Sequence, residues 1–186
     1  MKFLNTTMDK IESGRALDPL SAPLAKAVRK LTEFGPVKDA LSGSWLGHPL
    51  HPMLTDVPIG AWSMATLLDL TGGEESAAAA KRLVGIGVLS AVPTAWSGAS
   101  DWSETHGPAQ RVGIVHAVAN SVGASLQTAS WLVRAKGRRK TGILLSLAGL
   151  SAVGVGGYLG GHLTYAQGVG VNRTLGRCVP RRRRRR

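Results

Sequence analysis

Between Arg111 and Arg134 the chain carries no charged side chain, and between Lys140 and Arg173 it carries none again. A helix of a soluble domain keeps a charged face toward water, so neither stretch reads as one. Two shorter apolar segments precede them. The four candidate spans run over about Met53–Leu70, Leu83–Ser100, Val112–Val133 and Thr141–Leu163. Each approaches the roughly 20 residues a helix needs to cross a bilayer core. The first two are the weakest, because both are short and the first carries Asp56 and Asp69.

The connections are short: Thr71 to Glu75, Thr105 to Pro108, and Arg134 to Lys140. Short turns predict antiparallel neighbours. The expected fold is an all-α membrane protein, an antiparallel four-transmembrane-helix bundle preceded by a short amphipathic helix. Residues 1–15 read as a loose polar leader. From Leu20 to Phe34 the spacing is helical, with Leu20, Leu24, Ala27, Val28 and Leu31 on one stripe and Lys26, Arg29 and Lys30 elsewhere. Gly35-Pro36 ends that helix, and Val37 to Leu41 allow one more turn. The helix either lies on the membrane with its basic residues at lipid head groups or packs on the ends of the bundle. The expected division is 1–44 for leader and amphipathic helix, 45–174 for the transmembrane domain and 175–186 for a basic tail.

Composition narrows the function classes. Charged residues make up 18% of the chain, below the roughly 25% of soluble domains, and glycine is abundant at 24 residues. The single cysteine, Cys178, excludes a disulfide within the chain and any thiolate-ligated iron–sulfur or four-cysteine zinc site. Half of the +12 formal charge is the run Arg181–Arg186, and five more basic residues crowd the third connection. Such juxtamembrane charge fits anionic lipid rather than a nucleic-acid groove. Met1 to Arg15 lacks the apolar core of a signal peptide. The positive-inside rule puts the third connection, and Lys81 and Arg82, in the cytoplasm; the N-terminal helix and the arginine tail argue the other way.

In an up-down bundle the start of the first span, the end of the second, the start of the third and the end of the fourth share one end. His48 and His51 precede the first span, and Asp56 lies in its first turns. Asp101 and His106 follow the second. His116 and Asn120 occupy the start of the third, four residues apart and so on one side. His162 closes the fourth. All five histidines therefore gather at one end. Polar groups at membrane depth are costly and face the bundle interior, which makes Asp56, His116, Asn120 and His162 candidates for an internal cluster. Imidazole binds haem iron and transition metals. A b-type haem takes two axial imidazoles, and His116 and His162 sit at compatible depths, with His51 an alternative. His48, His51, His116 and His162 are the candidate ligands of a transition metal. Taken one at a time, each histidine is also explained by capping or by the head-group region. Tyr165 either hydrogen-bonds to His162 or anchors at the interface.

Gly156 with Gly160, and Gly157 with Gly161, make small-xxx-small pairs that admit another helix or a second copy of the chain. Trp45, Trp102 and Trp131 suit membrane boundaries, while Trp62 and Trp96 suit packing. No nucleophile elbow or phosphate-binding loop is present in the sequence.

The run Gly47-His48-Pro49-Leu50-His51-Pro52-Met53-Leu54-Thr55-Asp56-Val57-Pro58-Ile59-Gly60-Ala61-Trp62 closely resembles the signature of a bacterial predicted membrane protein family, domain of unknown function twenty-two thirty-one. Ser97-Gly98 through Asp101-Trp102, Val115-His116-Ala117 with Asn120, and Gly156 through Leu163 resemble its further pattern, and the likeness covers roughly residues 18–174. The resemblance implies a four-helix protein of the bacterial inner membrane. It also implies a link to electron transfer, since relatives are often fused to a Rieske-type iron–sulfur domain. This chain departs from the fused pattern after Thr174, and its tail reads either as a lipid-binding extension or as a truncated or frameshifted longer relative. The expected function is a redox-associated membrane component binding haem or a metal and exchanging electrons with a Rieske-type or other partner. The rivals are a non-catalytic anchor or assembly subunit and a proton-coupled transporter using Asp56.

Overall fold

The computed structural model describes residues 2–170, and these are helical with no strand among them. Cys178 and the arginine tail lie outside the described residues. Seven α-helices follow in order: α1 (Lys2–Ser13), α2 (Asp18–Thr32), α3 (Gly35–Ser42), α4 (Leu50–Thr71), α5 (Ala77–Trp102), α6 (Pro108–Ala135) and α7 (Arg139–Gly161). A π-helical turn, His162–Ala166, follows α7.

Proline and glycine set the boundaries. Pro49 precedes α4, and Pro108 opens α6, where a missing N–H costs nothing. Gly107 (φ 59°) and Gly137 (φ 75°) make the reversals on either side of α6 in the left-handed region that other residues avoid.

The four long helices run antiparallel in sequence order. Between α4 and α5, His51 meets Gly98 while Trp62 meets Gly87. Trp102 meets Gly113 while Gly85 meets Trp131, which orders α5 against α6. Between α6 and α7, His116 lies against Gly160, Asn120 against Gly156 and Arg134 against Gly142. Three tryptophans thus seat on glycines of a neighbouring helix, where a Cβ would lie 2.2–2.7 Å from ring atoms.

The core is built from small and polar side chains. Gln127, Val84, Val112 and Thr32 are the bulkiest side chains that are fully buried, and serines dominate the rest. Large apolar residues point outward instead, among them Met64, Leu89, Val118, Leu144 and Val155. Close packing through glycine, with side-chain hydrogen bonds inside and aliphatic residues outside, is the pattern of helices whose solvent is apolar.

Two helices, Ala77–Trp102 and Arg139–Ala166, are long and apolar enough to cross a membrane, and only 33% of either apolar window is buried. The ranking of the spans therefore differs from expectation. The second span qualifies. The third does not, because α6 replaces charge with Ser, Asn, Gln, His and Gly, which are uncharged but weakly apolar. Trp96, expected to pack, is exposed.

The leader corrects the expectation of a loose segment: it is the helix α1. Met8 is buried against Val112, Leu159 and Leu163, with Ile11 beside it, so partners more than 100 residues away stabilise it. Helix α2 buries Ser21, Ala25 and Thr32, not its leucine stripe. Helix α3 sits beside α5, where the Ser97 hydroxyl donates to the Leu41 carbonyl at 2.6 Å.

Candidate functional site

His51 is the second residue of α4, and its Nδ1 lies 2.9 Å from the Thr94 carbonyl of α5. A carbonyl only accepts, so Nδ1 carries the proton and donates it. The same threonine ties the helices a second time. Pro58 has no N–H to offer the Leu54 carbonyl four residues before it. The Thr94 hydroxyl donates to that carbonyl at 3.2 Å.

His116 is held in the same way from the other helix pair. Its Nδ1 lies 2.8 Å from the Gly156 carbonyl of α7 and donates to it. Asn120 packs on Gly156; its amide nitrogen is 3.3 Å from both ring nitrogens and donates at 3.0 Å to the His116 carbonyl. Equal distances put that amide across the ring rather than along the Nε2 lone pair. The His51 and His116 rings come within 6.3 Å of each other, centre to centre, at an interplanar angle of 84°. Each ring leans on a glycine: a Cβ on Gly98 would lie 2.6 Å from Cε1 of His51, and one on Gly160 would lie 2.9 Å from Cε1 of His116. The rings therefore occupy space that any larger residue would fill.

His162 has other partners. Its Nε2 is 2.6 Å from Oε1 of Glu12 on α1, and Gln167 donates to the same oxygen at 2.7 Å. Arg111 joins this cluster by a bidentate pair to Asp18 (2.6 and 2.8 Å) and a bond to the Glu12 carbonyl at 2.6 Å. The Arg111 hydrogen bond, reinforced by its charge, holds the Asp18 carboxyl below its usual range. His48 and His106 are exposed, and Asp56 is exposed on the outer side of α4 rather than in an internal cluster. Asp101 is buried. Tyr165 is 91% exposed. The structure thus brings His51, His116 and Asn120 together and engages His162 separately. Among the described residues no group of three or more His, Cys, Asp or Glu side chains gathers to hold a metal ion.

Sequence reasoning missed a second polar centre at the opposite end. Arg134, expected in a loop, lies in α6 and makes a bidentate pair with Asp69 of α4 at 3.0 and 2.5 Å. Both side chains are essentially buried, at 2% and 1% exposure. Ser130 accepts from Arg134 Nε at 3.0 Å, and Ser146 of α7 links Ser130 to Gln127. The signal was available: Asp69 and Arg134 end two spans at the same end of an antiparallel bundle, the argument that gathered the histidines.

The family described as predicted membrane protein (DUF2231) matches residues 47–173. No curated protein and no solved structure matches the chain.

Proposed function

Because the chain belongs to the DUF2231 family of predicted membrane proteins, we propose that it is a multi-pass protein of the bacterial inner membrane that carries electrons through a b-type haem held by His51 and His116. In this reading α4 to α7 cross the bilayer as an antiparallel bundle, with residues 45–174 the membrane domain. Their 22 to 28 residues suffice for a core of about 30 Å. The aliphatic residues outside and the polar groups inside support it.

The observation that carries the haem assignment is the matched state of the two rings. Both donate Nδ1–H to a backbone carbonyl, which fixes the tautomer and leaves each Nε2 with a free lone pair. Ligating imidazoles are oriented in this manner by their outer hydrogen bonds. The rings come from opposite helix pairs and stand 6.3 Å apart, centre to centre, and would be the two side chains that hold the group. Two protein ligands suit haem, whose macrocycle supplies the remaining nitrogens, better than a bare ion that needs three or four. The haem supplies a one-electron couple. The chain's own residues fix the imidazoles, limit access through the packed helices and lodge the rings against Gly98 and Gly160. A Rieske-type or other redox protein at the histidine end is the proposed electron partner.

The anchor reading draws on a different observation. Gly154 and Gly157 face outward with nothing within 4 Å of a Cβ, a surface on which another helix could seat.

Four purified variants separate the readings: His51→Ala, His116→Ala, His162→Ala and His48→Ala, each checked for a monodisperse, helical product. The first two are expected to lose bound haem while the last two keep it. Equal haem content in all four, or loss only in His162→Ala, overturns the assignment.

A further inference from the structure

Helix α2 has three faces. Ser21, Ala25 and Thr32 are buried against the body of the molecule. About a third of a turn around the helix, Leu20, Leu24 and Leu31 are 61%, 45% and 66% exposed, and Phe34 just beyond the helix is 70% exposed. A further third of a turn on, Lys26 and Lys30 are exposed. The depth of the helix is fixed by its bonds. Arg111 near the start of α6 holds Asp18, Ser21 contacts Gln110, and Arg29 donates to the Ser103 carbonyl at 2.6 Å. Helix α2 therefore runs level with the α5–α6 connection, where two spans leave the bilayer. Four large apolar side chains on one exposed ridge at that depth are costly in water.

We propose that α2 is an interfacial helix. Its ridge of Leu20, Leu24, Leu31 and Phe34 embeds in the acyl boundary of the leaflet at the histidine end, and Lys26 and Lys30 bind anionic lipid head groups. Two observations select lipid as the occupant. The ridge and the lysines are offset around the helix in the order an interfacial helix requires, apolar side into the acyl region and cations at the head groups. The lysine charge complements anionic lipid. The inference rests on the membrane reading but not on the haem.

The test uses the full chain with Cys178→Ser, reconstituted in nanodiscs of phosphatidylethanolamine and phosphatidylglycerol. An environment-sensitive fluorophore is attached at one introduced cysteine: Leu24→Cys for the ridge, Val155→Cys for a span, Lys136→Cys for a turn. Spin-labelled lipids should quench the Leu24 label as they quench the Val155 label, and iodide should quench only the Lys136 label. Iodide quenching at Leu24 with Val155 protected overturns the interfacial helix and leaves the membrane reading intact. Iodide quenching at both sinks the membrane reading itself. In the Leu24→Cys background, Lys26→Glu with Lys30→Glu should lower lipid quenching at Leu24 in discs containing phosphatidylglycerol. No change on charge reversal overturns the role given to the lysines.

Discussion

A histidine has two ring nitrogens, and what holds one decides what the other can do. His51 and His116 each spend Nδ1 on a carbonyl, whereas His162 spends Nε2 on Glu12. Steric contact makes the first pair testable without touching the rings. Ala at Gly98 would put a Cβ 2.6 Å from His51, so that ring must swing off its bond to Thr94. Gly98→Ala is expected to shift or abolish the haem spectrum with helix content retained. Gly157→Ala, where nothing lies within 4 Å, is expected to leave the spectrum unchanged. Optical titration of haem into the two purified variants checks both. The gathering of histidines at one end was legible in the sequence, because antiparallel order alone fixes it. Which two meet was not. That depends on how each helix is rotated about its axis, and a low-charge, glycine-rich helix states its inner face weakly. Asp56 and Asp69 make the same point: both sit on α4, yet one is exposed and the other is buried against Arg134.

At the scale of elements, the buried Asp69–Arg134 pair joins α4 to α6, and Ser146 extends the network to α7. Removing one partner leaves a buried charge. Arg134→Ala is expected to lower stability by about 3–5 kcal/mol, toward the lower figure because Arg139 stands 3.6 Å from Asp69. Replacing both residues with leucine should recover most of that loss, since buried pairs exchange for apolar residues at little cost. Thermal unfolding in detergent checks both variants; a double variant as weak as the single one contradicts the pairing. The attachment of α2 carries a pH dependence. The lowered Asp18 pKa means the folded state favours the ionised carboxyl. Its contribution is therefore complete above the ordinary value of 3.8 and is lost as pH falls through the lower folded value. Hydrogen exchange in α2 should accelerate below that window, and Asp18→Asn should be fast at every pH. Of the four long helices, α6 and α7 were legible from uncharged length, and α4 and α5 from shorter apolar runs. Helix α1 was not, because its sequence alternates charge and polarity and its apolar partners, Val112, Leu159 and Leu163, are remote in the chain.

For the whole molecule, polarity divides by end: histidines and the three N-terminal helices at one, the Asp69–Arg134 centre and the basic turn at the other. Four crossings require the α5–α6 connection and the α6–α7 turn to lie on opposite sides of the membrane. With Cys178→Ser, introduced cysteines at Thr105 and Lys136 should label from opposite sides in sealed vesicles; labelling from one side contradicts four crossings. The central claim, haem between His51 and His116, is tested most directly by an optical spectrum of the detergent-purified chain, oxidised and then reduced with dithionite, together with metal analysis. The account predicts a sharp reduced haem band and about one iron per chain. A colourless, metal-free protein, unchanged when expressed with added haem and metals, would contradict it and leave the membrane anchor as the better reading.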